Sequence, residues 1–472
     1  MNRSRLLALC LAASFVSSAQ HQEVDEKPAL WQAKESVSDT GSLLSAFRRG
    51  RTTGHFRYFF MATDNAPGLS NPYAHALGGG IKMETARFRR FQLGISGFFV
   101  FNVGSSDLAA PDPLTGQKNR YETGLFDIQD PANRTNIDRL EELYLRYHLH
   151  KGTLTLGRQL LNTPFLNLQD GRMRPTVVDG IWADLRIKKN GRLQAGFIHR
   201  ISPRSTVSWF SIERSVGVYP TGVTETGSPS GYAGRLQSRG ILLAGYSMRP
   251  TAGWTIQAWD QFAENLFNTL LIQADRRWPS GQERQWTAGL QVVRQDAVHD
   301  GGHPDPELTY FRKGGKTWVI GLRAGRRTER SELSLNYTRI TAHGRYLMPR
   351  EWGRDPFFTF LPRERNEGLG DLHAWVLKGT HKLTKTPIDL GAAAGVYRLP
   401  ELTNYRLNKY GMPSYYQLNV DVRRSWKNWL EGLETQLLFI WKGALGKEPI
   451  APRNQINKVN MSLWNLVFNY RF

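Results

Sequence analysis

Apolar and polar side chains trade places at every step through most of this chain, in runs of roughly nine to thirteen residues, the length a tilted strand needs to cross a bilayer. Period-two alternation separates two faces of an extended chain, whereas a helix would repeat near every fourth residue. Eighteen such runs lie at about 54–62, 76–87, 90–102, 140–149, 152–159, 177–187, 191–201, 235–247, 253–263, 266–276, 284–295, 316–326, 330–340, 371–382, 388–397, 413–424, 432–442 and 460–471. Their connections alternate as well. Short ones fall at 87–90, 150–152, 188–191, 249–253, 278–283, 327–329, 383–387 and 425–431, and long ones at 103–139, 160–176, 202–234, 296–315, 341–370, 398–412 and 443–459. Tight turns at one rim and long loops at the other are the asymmetry expected of a membrane barrel with an even strand number. Glu264 and Asn265 break the rule, making a short link where a long loop is due.

The two faces are chemically unlike. The last run sets Leu466, Phe468, Tyr470 and Phe472 against Val467, Asn469 and Arg471; the run at 413–424 sets Leu418, Val420 and Val422 against Gln417, Asn419, Asp421 and Arg423. In the run at 432–442, Leu433, Leu437, Phe439 and Trp441 oppose Glu434, Gln436 and Lys442. A cation facing lipid costs about 2–4 kcal/mol at the bilayer midplane and almost nothing in a wet lumen, so the greasy set is expected outside. A soluble barrel would reverse this preference. Trp254, Trp278, Trp286, Trp318, Trp426 and Trp441 fall near the ends of runs, where a membrane girdle uses amphipathic rings. The expected fold is all-β, an 18-stranded antiparallel transmembrane β-barrel.

The N-terminus changes the picture by adding a compartment. Residues 1–19 read as a signal peptide: Arg3 and Arg5, an apolar stretch from Leu6 to Val16, then the small residues Ser17, Ser18 and Ala19. The single cysteine, Cys10, lies inside it behind Leu9, which is too large for a lipidation motif. Residues 20–50 are polar and without sustained periodicity, a flexible periplasmic leader with room for a short helix, and 51–472 form the barrel domain. The chain carries 62 basic and 41 acidic residues, a formal charge of +21. After an export signal this bias points away from nucleic acid and toward anionic solutes in an aqueous pore. No stretch after Val16 approaches the roughly 20 apolar residues of a spanning helix.

The loop at 160–176 is the least ordinary connection. Pro164 and Pro175 keep its middle out of any ladder, while Leu160, Leu161, Phe165, Leu166, Leu168 and Met173 make it too apolar to hang in water, so it is expected to fold back against protein. Its segment GRQ…TP…N.QDGRM.P resembles the constriction loop of the OprD family of bacterial outer-membrane porins, and MPREWGRDPFFTFLPRERNEG in 341–370 is also similar to a segment of such porins. The resemblance implies an 18-stranded barrel with an inward-folded constriction loop, and small carboxylate-bearing solutes sliding along a ladder of basic wall residues opposite an acidic pocket on the loops. Candidate constriction residues are Asp170, Arg172 and Arg174 from the first loop and Arg350, Glu351, Arg354 and Asp355 from the second, where Arg363, Glu364 and Arg365 add further charge. Arg146, Arg186, Arg323 and Arg423, on the polar phase of their strands, are the ladder candidates. Phe472 ends the chain with aromatic or apolar residues at every second position before it, similar to the signal by which the barrel-assembly machinery takes the last strand.

No catalytic motif stands out. Gly-x-Ser-x-Gly, His-Glu-x-x-His and a Walker loop are missing from the sequence, and the eleven histidines are scattered. The expectation is therefore a porin, not an enzyme, that passes small anionic or zwitterionic carboxylate-bearing solutes passively. It needs no cofactor, sits among outer-membrane lipids and lipopolysaccharide, and is a monomer or loose trimer. The alternative is an outer-membrane barrel enzyme of lipase or protease type, or a plugged surface-binding barrel.

Overall fold

A computed structural model describes residues 30–31, 39–168, 171–187, 190–281, 283–364, 366–446 and 448–472. The expected signal peptide and much of the leader, 20–29 and 32–38, lie outside the described residues. A short helix, α1 (Leu43–Arg48), precedes the barrel, with the Ser42 side chain accepting from the Ser45 amide at 3.2 Å as its cap.

Eighteen strands then follow. They are β1 (Arg51–Asp64), β2 (Tyr73–Glu84), β3 (Phe91–Ser105), β4 (Ile137–Leu149), β5 (Gly152–Gln159), β6 (Val177–Ile187), β7 (Gly191–Ser202), β8 (Ile241–Met248) and β9 (Trp254–Ala263). The second half comprises β10 (Phe267–Pro279), β11 (Arg284–Ala297), β12 (Lys316–Thr328), β13 (Ser331–Ile340), β14 (Leu372–Lys382), β15 (Ile388–Arg398), β16 (Tyr415–Ser425), β17 (Leu433–Ala444) and β18 (Met461–Arg471). Each pairs antiparallel with its neighbours in sequence, and a two-residue strip, Phe210–Ser211, adds to the end of β7. β1 pairs with β18, Phe56 opposite Tyr470 and Tyr58 opposite Phe468, so the sheet closes and no edge remains. At the seam Phe472 exchanges backbone bonds with Gly54, 2.8 and 3.1 Å, and stacks on Phe56.

The alternation resolves as the sequence pattern predicts. Leu418 and Val420 are 43% and 47% exposed on the outer face, while Gln417 and Asn419 between them are 0% and 2% exposed on the inner one. The exposed outer rings Trp286, Trp318 and Trp441 lie toward strand ends. The short link after β9 is real: Asn265 takes φ +60° and the Leu266 amide returns to the Ala263 carbonyl at 3.0 Å. One strand starts later than its pattern suggests. Residues 235–240 alternate but belong to the loop before β8, because Gln237 donates instead to the Gly302 carbonyl at 2.9 Å, and Gly240 turns the chain at φ +152°.

The lumen is not simply wet. Phe165, Leu166 and Leu361, Trp352 and Phe357 from the loops 160–176 and 341–371 join inward wall residues Phe267, Leu271, Trp259 and Tyr397 in one buried cluster. Inner-wall amides and ammonium groups hold the second loop by its backbone. Gln295 donates to the Leu347 carbonyl (2.7 Å), Gln291 to Pro356 (2.8 Å), Lys378 to Phe358 (2.6 Å) and Gln417 to Pro362 (3.0 Å). Much of the polar inner phase thus satisfies inserted loop backbone that would otherwise be buried without partners.

Candidate functional site

The loop 160–176 leaves β5 through Gly157, whose φ is +105° and whose Cβ, if present, would stand 2.4 Å from the Leu143 carbonyl. Thr163 folds its first half by bonding both the amide and the carbonyl of Leu166, 2.9 and 3.0 Å. Phe165, Leu166, Leu168 and Met173 are buried, so the apolar half anchors the loop inside the barrel. Asn167 ties it to the other inserted loop: its Nδ2 donates to the Arg354 carbonyl at 2.9 Å and its Oδ1 accepts from the Arg354 amide at 3.0 Å.

This docking brings Arg172 to a cavity of about 70 Å³ shared with Arg120, Arg204, Arg350, Arg363 and Glu364. The cavity draws on four loops, since Arg120 lies between β3 and β4 and Arg204 just past β7. Arg172 and Arg363 lie close enough that both donate to the Gly171 carbonyl, at 2.7 and 3.1 Å. A Cβ on Gly124 would stand 2.4 Å from Nε of Arg172, so that glycine leaves room for the guanidinium. Burial, and then the charge of Arg363, lowers Arg172 from the ordinary arginine range to about 9; burial likewise lowers Arg204 to about 10. Nε of Arg172 and Nε and Nη1 of Arg204 are buried and donate to no described group.

The other predicted residues are placed as follows. Arg350 lines the cavity, donates to the Pro220 carbonyl at 2.6 Å and lies over the Tyr410 ring at 4.5 Å. Burial acts to lower its pKa, but Tyr410, Glu367 and Glu351 more than reverse that. Glu351 turns away, its carboxylate accepting from the amides of Gly217 and Tyr219 at 3.0 and 2.8 Å, with burial pushing it above the usual carboxylate range. Arg354 rests over Phe360, and Asp355 accepts from the Asn366 amide at 2.8 Å. Arg174 is bound to the wall by Glu141, which also takes Arg139 at 2.8 Å, and lies over Phe98 at 4.3 Å. Asp170 and Arg365 lie outside the described residues.

The four ladder candidates lie on four different strands, β4, β6, β12 and β16. Arg323 pairs with Asp275 at 2.6 Å and lies over Phe358; Arg423 pairs with Asp421 at 3.2 Å. Arg146 donates to Thr155 and lies over Tyr144, while Arg186 is exposed beside the tight turn after β6. Reading from sequence missed Arg120 and Arg204. Neither sits in a distinctive motif, and only the folded loops bring them to Arg172. It also missed Lys409, whose ammonium donates to Tyr232 at 3.1 Å among the rings of Tyr232, Tyr310 and Tyr410, and which burial lowers to about 8.

A closed membrane barrel whose lumen is narrowed by inserted loops to a guanidinium-lined cavity defines a channel-forming protein of the porin class. Residues 112–341 match the family model described as outer membrane porin, OprD family. That match spans 230 of the 472 residues and marks the chain as similar to the OprD family of porins, whose place is the bacterial outer membrane. No curated protein matches its sequence. Among solved structures it is similar to Pseudomonas aeruginosa OpdK, crystallised with vanillate, at TM-score 0.69 and 13% identity over 90% of this chain and 99% of that one. Pseudomonas aeruginosa OccK9 (OpdG) gives TM-score 0.69 at 13% identity, covering 91% and 99%. Acinetobacter baumannii OccAB2 gives 0.69 at 12%, also covering 91% and 99%. These likenesses show the fold.

Proposed function

We propose that the chain is a passive channel for small anionic, carboxylate-bearing solutes, which enter from the long-loop side and pass the cavity at Arg172. The observation that carries this is the convergence of five guanidinium groups on one small cavity where the single lining carboxylate among the described residues, Glu364, is already paired with Lys442 at 2.7 Å. Buried donors on fixed cations favour an anion that replaces its water shell with charge-assisted bonds. Arg146, Arg323 and Arg423 on the inner wall would extend the attraction along the pore. That the similar OpdK was solved with vanillate, itself a carboxylate, fits this reading.

The surroundings fit an outer-membrane setting. On the outer face near the long-loop rim, Arg294 lies over Trp318 at 4.8 Å and Arg398 over Trp375 at 5.9 Å, an arrangement suited to phosphorylated lipid headgroups. Phe472 at the closing seam suits recognition of the last strand during assembly. Swelling of vesicles containing the purified protein tests the transport reading. A small carboxylate is expected to enter faster than its neutral amide of the same size; equal or slower entry would refute it.

A further inference from the structure

We infer that the cavity at the constriction binds small doubly charged oxyanions in preference to singly charged or zwitterionic solutes of the same size. This rests on the proposed reading of the chain as an anion-passing pore and names the charge that its narrowest part selects.

The donor set is the first reason. Arg120, Arg172, Arg204, Arg350 and Arg363 face the same small space, and two of them are close enough to share the Gly171 carbonyl. Three N–H groups, Nε of Arg172 and Nε and Nη1 of Arg204, are buried there without a described acceptor. Buried donors on charged groups are costly to leave unmet, and like charges at this spacing repel one another. A single negative charge answers only part of that field. An anion with two charges and three or four oxygens can accept from several guanidiniums at once, in the bidentate geometry arginine favours.

The second reason is that the nearby carboxylates among the described residues are already engaged. Glu364 pairs with Lys442, and Glu351 accepts from two loop amides. Glu122 accepts from Thr63 and Asn119, at 2.5 and 2.7 Å. Glu367 accepts from the Tyr410 hydroxyl at 2.8 Å and lies 3.6 Å from Nε of Arg350. The ammonium group of an amino acid would therefore meet guanidiniums where it needs a carboxylate. Size agrees with the charge: about 70 Å³ holds roughly five waters at ~10–15 Å³ each, room for sulfate, hydrogen phosphate or a short dicarboxylate.

The test uses the purified full chain in planar bilayers at neutral pH, with chloride as the conducting ion and succinate or its isosteric monoanion succinamate as blocker. Succinate is expected to block at a concentration at least tenfold lower. Arg204→Gln, and separately Arg120→Gln, should shrink that ratio severalfold, whereas Arg330→Gln at a tight turn should leave it unchanged. Anion-selective steps blocked equally by both acids would overturn this inference while leaving the pore reading intact. Steps without anion preference would overturn both.

Discussion

Arg172 and Arg174 stand two positions apart in one loop, yet their surroundings assign them different work. Arg172 contributes buried donors to the cavity, while Arg174 is fastened to Glu141, beside Arg139, inside the wall. Arg172→Ala is expected to leave assembly intact and reduce anion preference, read as a smaller reversal potential in a salt gradient. Arg174→Ala strips one of two guanidiniums from a fully buried carboxylate and is expected to destabilise the barrel by about 3–5 kcal/mol, read from the unfolding midpoint. Identical behaviour of the two variants would refute the distinction. The sequence shows that both residues are charges on an apolar loop, and it marks Arg350, Arg363 and Glu364 in the second loop. It does not show which of them reach a common space, because partners such as Glu141 and Gly171 are chosen only once the loops are packed.

At the scale of elements, strands were far more legible than loops. A strand with one lipid face and one inner face writes its period into every second residue, so the bounds of β5 and β6 coincide with their patterns. Loops carry no such period. That 160–176 turns inward could be read from its buried apolar residues, but its grip on 341–371 rests on chosen partners, among them Thr176 donating to the Glu351 carbonyl at 2.8 Å and Asn167 paired with both backbone groups of Arg354. Asn167→Ala removes those bonds and leaves buried backbone groups unmet, a loss of about 1–3 kcal/mol in loop attachment. The expected outcome is a noisier open channel of larger mean conductance with an unchanged barrel melting point. A quiet channel of unchanged conductance would show that other contacts hold the loop. The inner wall also shows why polarity alone misleads: Gln295 and Gln417 are polar because they hold loop backbone, not because they face bulk water.

The whole molecule is a closed cylinder of lipid-compatible outside and loop-filled inside, and five of its arginines line one cavity between the inserted loops. Closure and facing followed from alternation because the bilayer penalises a misplaced charge by several kcal/mol, a constraint strong enough to be written along the entire chain. The proposed selectivity rests on a handful of side chains from four loops, a constraint too local to leave a period. The most direct measurement is the reversal potential of the unmodified protein in a planar bilayer across a tenfold gradient of potassium chloride. Five guanidiniums around one cavity, with one paired carboxylate among its described lining residues, predict discrete steps and a potential whose sign reports chloride as the favoured ion. A potential of the opposite sign, or a barrel that inserts and conducts nothing, would contradict the account.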